Sequence, residues 1–507
     1  MSLAVLNSCA LSGLDFVDVR VEAHVAPGLP AFHIVGLPDA GIRESRERVR
    51  SALQASGFDF PAARLTINLA PADLPKDSGR FDLPVALAIL LASGQLSRPD
   101  EHGRERAVPA LERYVMAGEL SLTGAVVPVQ KALIIALGMA RHHADQTLIL
   151  PTDSAALAAH VPDVCTLGVA SLSEAAAYLR GDLVLSPVPA SVLIAPDAGP
   201  DLCLSDVLGQ PLACRALELA AAGGHSLLLN GSPGAGKTML AQRLPGLLPD
   251  LDNRARLEVA AIYAMTQSDP RLCRRPPFRA PHHSVTMPAL VGGGARVRPG
   301  EVSLAHHGVL FLDELPEFDR RALEALREPL EEGCVHIVRA LRQATYPARF
   351  QFLAAMNPCP CGWAGHRHQP CRCTPGRREQ YRQRLSGPLL DRIDLCVTLT
   401  EPDQDAGQAA QASRFVRERV SKARQRQLTR QGCLNAALSA VVVQNGLQLD
   451  DDARAWLLQA RRRWHWSERT HGRLLRVARS VADLAGESVI LRGHVAEALQ
   501  FRAHLPS

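Results

Sequence analysis

The sequence predicts an α/β protein: a parallel-sheet domain at the centre, a mixed α/β region before it and a basic helical region after it. Three observations carry this. In "HSLLLNGSPGAGKTMLAQRL" an apolar run, Leu227 to Leu229, enters a glycine-rich loop that opens a helical pattern. From about residue 206 to 400, short apolar strands alternate with helical stretches, the order that a parallel sheet with crossover helices requires. Beyond about residue 401, "DDARAWLLQARRRWHWSERTHGRLLRVARSVADLAG" keeps helical spacing and carries many arginines.

Taken in chain order, residues 1–185 interleave strand-like runs ("LTINLAP", "YVMAGEL") with helical patterns ("GIRESRERVRSALQASG", "FDLPVALAILLASG"), which reads as mixed α/β. Residues 186–205, "SPVPASVLIAPDAGPDLCLS", are rich in Pro and Ala and read as a linker. Residues 206–400 form the expected parallel-sheet core and 401–507 the helical part. There is no internal repeat and no long low-complexity segment.

The bulk numbers bound the function. A chain of 507 residues exceeds one ordinary domain. Its 47% hydrophobic and 21% charged residues are those of a soluble globular protein. A net charge of +5 is mild and does not by itself call for nucleic acid. Arginine outnumbers lysine, so the basic groups are mostly planar forks suited to phosphate. No apolar run reaches the length of a membrane span, so no membrane partner is expected. The start, "MSLAVLNSCALSGLDFVDV", lacks the basic and apolar regions of an export signal. A cytoplasmic location is therefore expected, where disulfides are rare.

Gly231-Ser232-Pro233-Gly234-Ala235-Gly236-Lys237-Thr238 fits G-x-x-x-x-G-K-[ST] between a strand and a helix. Glycines at this spacing let backbone N–H groups turn inward around phosphate oxygens, and the helix N-terminus adds its positive dipole end. Lys237 is placed to reach the β- and γ-phosphates of ATP, and Thr238 to hold Mg²⁺. Such a site needs an acidic strand, and "GVLFLDELPEF" supplies one. Asp313 is the second Mg²⁺ group and Glu314 the residue that polarises the attacking water. A third apolar run, "RFQFLAAMN", ends in Asn357, a polar tip suited to sense the γ-phosphate. A plain turn asparagine before Pro358 is the alternative.

Directly after Asn357, Cys359-x-Cys361 and Cys371-x-Cys373 bring four cysteines into a short span. Four thiolates suit a closed tetrahedral Zn²⁺ site, with no open position for catalytic water. His366 and His368 lie inside the loop and are candidate substitutes for a cysteine. Free thiols and disulfides remain the other readings of the same residues.

In this order the motifs resemble those of an AAA+ ATPase. The wider text is more specific. "LPDAGIRESRERVRSAL", "INLAPADLPKDSGRFDLPVALA", "AAAGGHSLLLNGSPGAGKTMLA", "APHHSVTMPALVGGG" and "FLDELPEF" are similar to the ComM/YifB group of magnesium-chelatase-like proteins, over nearly the whole chain. The resemblance implies a sensor role for Asn357. It implies that Arg392, in "LLDRID", is an arginine finger acting on a neighbouring subunit, and that Arg469, in "WSERTHGRLLRVAR", is the sensor arginine of the helical lid. An ion pair with Asp391 or Asp394 is the plain reading of Arg392, and a solvated helix surface that of Arg469. A finger supplied in trans implies a ring, and the family implies a homo-hexamer.

The N-terminal region resembles the ribosomal-S5-like α+β fold of the Lon protease domain. The resemblance extends to "KDSGRFD" and "GELSLTGAVVPVQKAL", but places Arg80 where the nucleophilic serine belongs and Leu133 where the partner lysine belongs; Ser78 and Lys131 lie nearby. A non-peptidase scaffold or DNA-contacting collar is expected. In "RPPFRAPHHSVTMPALVGGGARVRPGEVSLAHHG" the family carries an insertion toward the ring pore, with Arg296 and Arg298 beside glycines. "EEGCVHIVRALRQATYPARF" reads as a hairpin with Arg339 and Arg342 near its tip. Basic hairpins suit phosphate contacts along DNA. In Arg461-Arg462-Arg463-Trp464-His465-Trp466 the tryptophans either stack on bases or fill a helical core.

The resemblance therefore implies a cytoplasmic hexameric DNA motor that uses ATP and Mg²⁺. It would promote branch migration of recombination intermediates on branched or single-stranded DNA, alongside recombination proteins, including during natural transformation. A magnesium-chelatase motor subunit for porphyrin metallation is the alternative, and a Lon-like protease the lesser one.

Overall fold

The computed structural model describes residues 2–36, 40–72, 79–97, 111–190, 202–266, 272–294, 297–339, 342–399, 409–464 and 466–502. These form a mixed α/β protein with parallel sheets and a helical C-terminal region. The chain divides into two compact units. The first is Met1–Ile194 with Ala260–Leu272 and Val338–Ala344; the second is Ala195–Val259, Cys273–Ile337 and Thr345–Ser507. Among the described residues no helix is long and apolar enough to cross a membrane.

The first unit is built on a seven-stranded sheet. Its strands are β1 (Ser2–Ser12), β2 (Asp15–Ala26), β3 (Ala31–Val35), β4 (Arg64–Ala70), β5 (Tyr114–Met116), β6 (Thr147–Pro151) and β7 (Cys165–Val169), in the order β3-β4-β2-β1-β5-β6-β7. The β1–β2 and β2–β4 pairs are antiparallel and the rest parallel. In β4, "RLTINLA", Leu65, Ile67 and Leu69 are buried while the residues between them are not, the period-two signature of a strand with one face on the core. The helix Asp82–Ala92, "DLPVALAILLA", is apolar almost all round and is buried against β1 and β2. Asp82 opens that helix fully buried. It is tolerated because Arg48 Nε donates to it at 2.7 Å, the Leu120 N–H at 3.3 Å, and the Ser45 hydroxyl also donates to it.

The second unit holds a five-stranded parallel sheet. Its strands are β8 (Leu227–Gly231), β9 (Phe278–Arg279), β10 (Val309–Leu312), β13 (Gln351–Met356) and β14 (Leu395–Leu399), ordered β9-β10-β13-β8-β14. Between β10 and β13 in the sequence the expected hairpin is present, as β11 (Cys334–Arg339) and β12 (Arg342–Pro347), with Val338–Ala344 grouped in the first unit. The leucines of β8, all of β10 and all of β13 are buried, as strands covered on both faces must be. That double burial explains why they read as unbroken apolar runs.

The C-terminal helices Ser413–Gln431 and Glu468–Ala485 pack on the helix Pro211–Gly223, which precedes β8. Buried polar groups there pair with one another. His225 bonds Asp394 at 3.1 Å and Ser480 at 2.7 Å. Asp483, 1% exposed, faces Arg479 at 3.0 Å and Arg430 at 2.7 Å, and accepts from Asn435 Nδ2 at 2.8 Å. An arginine and an aspartate buried together are stable only as a pair. Asp483→Ala, which leaves the buried Arg479 charge with carbonyl partners but without its carboxylate, is expected to cost about 3–5 kcal/mol of stability, read as a lowered midpoint in urea unfolding of the full chain.

Candidate nucleotide site and cysteine clasp

The parallel register decides which side chains meet. Asn230 of β8 pairs with Met356 of β13, and Leu312 of β10 with Ala354 of β13. All three strands therefore end on the same edge. The strand carrying Asn357 lies between the strand that feeds the glycine loop and the strand that feeds Asp313-Glu314. With neighbouring strands about 4.8 Å apart, one asparagine can touch both sides of the cleft.

Lys237 opens the helix Lys237–Ala241 that follows the loop. Gly234 and Gly236 have φ of 81° and 89°, in the left-handed region that suits glycine, and no atom lies within 4 Å of where a side chain at either would project. The loop is thus an open cradle of backbone around a half-buried lysine. Lys237 Nζ donates to the Gly231 and Ser232 carbonyls at 2.7 and 2.9 Å and to Asn357 Oδ1 at 3.0 Å. Burial holds its ammonium below the ordinary lysine range, against the pull of Asp313 and Glu314. The Thr238 hydroxyl donates to Asp313 Oδ2 at 2.6 Å. A hydroxyl and a carboxylate this close form the hard oxygen pair that suits Mg²⁺.

Glu314 is exposed at φ 55°, a left-handed backbone that a non-glycine residue adopts at a cost of about 1–3 kcal/mol. Its N–H donates to Asp313 Oδ1 at 2.9 Å, which pins the turn. Its carboxylate sits 3.2 Å from His283 Nδ1. Sequence reasoning missed His283; its signal was the adjacent pair His282-His283, whose rings lie 4.1 Å apart.

Arg392 is not in this cleft. Leu395 pairs with Leu227 and Leu399 with Gly231, so Arg392 precedes β14 at the end of the sheet opposite the glycine loop. It donates to the Pro388 carbonyl at 2.6 Å and pairs with Glu331, rather than with Asp391 or Asp394. Arg469 is exposed in the first turn of the helix Glu468–Ala485. Arg298 is exposed on the short ribbon Gly292–Gly293 with Arg298–Pro299. Arg296 and His465, with Ser78 of the first unit, lie outside the described residues, as do the side chains of Arg339 and Arg342. Trp466 packs on the core while Trp464, stacked on it at 5.3 Å, is 46% exposed. In the first unit Arg80 and Leu133 are buried.

Cys359, Cys361, Cys371 and Cys373 bring their sulfurs within 4.8 Å of one another. Three of the separations are 3.4, 3.6 and 3.5 Å. A tetrahedron of thiolates on Zn²⁺ at about 2.3 Å has edges of about 3.8 Å, whereas a disulfide brings two sulfurs to about 2.05 Å. The spacing fits a metal and excludes a bond between these sulfurs; all four cysteines are free. The Cys361 thiol is drawn down to about 6, first by the Trp363 N–H, while burial pushes Cys359 up to about 11. His366 and His368 do not belong to the four-sulfur set. A second cluster, Glu258 with His306 and His307, behaves differently. His306 Nδ1 accepts the Arg349 N–H at 3.0 Å, so Nε2 keeps its proton and faces Glu258. That arrangement is a hydrogen-bonded latch before β10, with no free lone pair on His306 for a metal.

Comparison with known proteins agrees with this geometry. Residues 203–406 match the family described as magnesium chelatase, subunit ChlI, residues 21–154 that described as subunit ChlI of Mg-chelatase, and residues 410–502 the subunit's C-terminal family. The uncharacterized protein YifB of Salmonella typhimurium is 44% identical over 99% of this chain and 97% of its own length. The competence protein ComM of Haemophilus influenzae is 42% identical over 99% of this chain and 98% of its own. The magnesium-chelatase 67 kDa subunit of Heliobacterium mobile is 28% identical over 32% of this chain and 29% of its own. Matches that run end to end along both chains, on a sheet whose tips gather Lys237, Thr238, Asp313 and Asn357, identify the chain as a member of the ComM/YifB family of magnesium-chelatase-like AAA+ proteins.

Proposed function

We propose that this chain is a ring-forming ATPase, a homo-hexamer, that drives branch migration of DNA recombination intermediates. The observation that carries the ATPase part is the meeting of Lys237, Thr238, Asp313, Glu314 and Asn357 on one sheet edge. The end-to-end likeness to a protein named for competence supports the recombination part. The full-length relatives are YifB and ComM, matched over 99% of this chain, whereas the Heliobacterium mobile magnesium-chelatase subunit matches 32% of it; that contrast supports the DNA motor, with porphyrin metallation the second reading because the matching family models carry the chelatase subunit's description.

In this reading Lys237 exchanges the Gly231 and Ser232 carbonyls for the β- and γ-phosphates of ATP. Thr238 and Asp313 hold Mg²⁺, which neutralises charge on the transferring group. Glu314 leaves His283 and takes a proton from the attacking water, and Asn357 orients that water. Arg392 stands at the opposite end of its own sheet, so it serves a neighbour's phosphates after releasing Glu331. Arg469 reads the γ-phosphate from the lid, and exposed Arg298 with the hairpin β11–β12 tracks the DNA backbone. Residues 1–185 act as a scaffold or collar; Arg80 and Leu133, both buried, occupy the places a Ser–Lys protease pair would need. The four cysteines hold structural Zn²⁺.

The deciding experiment follows a labelled four-way DNA junction with ATP and Mg²⁺, beside a porphyrin metallation assay. ATP-dependent conversion of the junction is expected. Hydrolysis without conversion would reduce the chain to an ATP-driven scaffold, and metal insertion would favour the chelatase reading. Glu314→Gln is expected to bind ATP as the wild type does and to lose about 10²-fold or more of its turnover, measured by phosphate release beside nucleotide titration. Arg392→Ala is expected to lose about 10³-fold of turnover while nucleotide affinity changes far less, measured the same way.

A further inference from the structure

The cysteine clasp lies against the nucleotide loop. Gly362, in the turn between Cys361 and Trp363, is buried and has φ 82°. A side-chain carbon built on it would lie 2.5 Å from Pro233 Cδ and 2.6 Å from Pro233 Cγ. Separations below 3.0 Å are not tolerated, so Gly362 and the Pro233 ring are already in close contact. The clasp reaches the same loop from its other side: Asn357, two residues before Cys359, accepts from Lys237 Nζ at 3.0 Å. Beyond Cys373, the helix Pro375–Arg382 is capped by Thr374 and carries the buried Tyr381. The segment 358–373 is therefore a closed loop, anchored at Asn357 and seated on Pro233.

We infer that the tetrathiolate clasp, loaded with Zn²⁺, is a brace for the glycine loop, so that metal occupancy sets nucleotide affinity through the Gly362–Pro233 contact. Two metal–sulfur bonds, from Cys359 and Cys361, would tie the turn Cys359–Gly362 through the metal to Cys371 and Cys373 and fix it in one place. Without them the turn relaxes, Pro233 loses its support, and the cradle samples shapes that do not match a triphosphate. The metal takes no part in the chemistry. This rests on the ATPase reading above and adds a metal dependence to it.

Two glycines of the same loop provide the test. Gly362 and Gly365 have nearly equal positive φ, 82° and 80°, but nothing lies within 4 Å of a side chain at Gly365. Alanine at either carries the same backbone strain, and only Gly362→Ala presses on Pro233. The full chain is assayed for zinc by mass spectrometry and for affinity with a fluorescent ATP analogue, with thermal melting as the check on folding. Wild type is expected to hold one zinc per chain. Gly362→Ala should keep the zinc and weaken nucleotide binding at least about tenfold, while Gly365→Ala keeps both. In a Pro233→Ala background, which removes the two ring carbons, Gly362→Ala should cost nothing further. Stripping the metal with a chelator should weaken binding by a similar factor, and zinc add-back should restore it. Wild type without zinc, Gly362→Ala binding like wild type, or stripped protein binding like loaded protein would each overturn the brace. A wild type that binds no nucleotide at all would instead overturn the ATPase reading.

Discussion

Strand order is the constraint on which the site depends. Because β13 separates β8 from β10, the glycine loop and the acidic turn face each other across the width of one strand, and that strand ends in Asn357. Lys237 can then touch Asn357 while Thr238 touches Asp313. Had β8 and β10 been neighbours, Asn357 would lie on the far side of one of them. The same parallel register sends Arg392 to the opposite end of the sheet, about 17 Å away at about 3.3 Å per strand residue. One topological fact thus gathers five polar groups and excludes a sixth, and this makes a shared site between copies physically reasonable.

Without ligand, the charged groups of the cleft are occupied by their neighbours. Lys237 is held by two loop carbonyls and Asn357, Thr238 by Asp313, and Glu314 by His283; Arg392, elsewhere, is held by Glu331. Lys237 is half-buried and the Arg392 side chain is 10% exposed, so leaving either unmet would cost about 1–3 kcal/mol; the exposed Thr238 and Glu314 can turn to water instead. These contacts are also exchangeable. Phosphate oxygens offer Lys237 charge-assisted bonds stronger than those to a carbonyl. In the proposed cycle, binding is an exchange of partners within a prebuilt cradle, and His283 is the group that Glu314 must leave.

The legible parts of the site were those written as local pattern. Glycine spacing announced the loop, because only glycine suits φ values such as those of Gly234 and Gly236. Unbroken apolar runs announced β8, β10 and β13, because strands covered on both faces have no polar side. Paired cysteines announced their own convergence. What stayed hidden was contact between distant segments. The sequence offered Arg392 its adjacent aspartates, yet its partner Glu331 lies 61 residues away. Likewise nothing in "CGWAG" points to Pro233, and the paired histidines of "APHHS" mark themselves without naming Glu314 as the partner. Nor does spacing tell which of Trp464 and Trp466 is core; tertiary packing buries the second and leaves the first exposed.

The central claim is that each nucleotide is cleaved between two copies of the chain. Mixing two inactive proteins tests it most directly: Lys237→Ala, which keeps Arg392, and Arg392→Ala, which keeps an intact loop. In a randomly mixed ring about a quarter of the seams pair an intact loop with an intact arginine. The account predicts that ATP hydrolysis reappears on mixing and rises to about that fraction of the wild-type rate. A mixture as inactive as its two components, although mixed rings have formed, would contradict it.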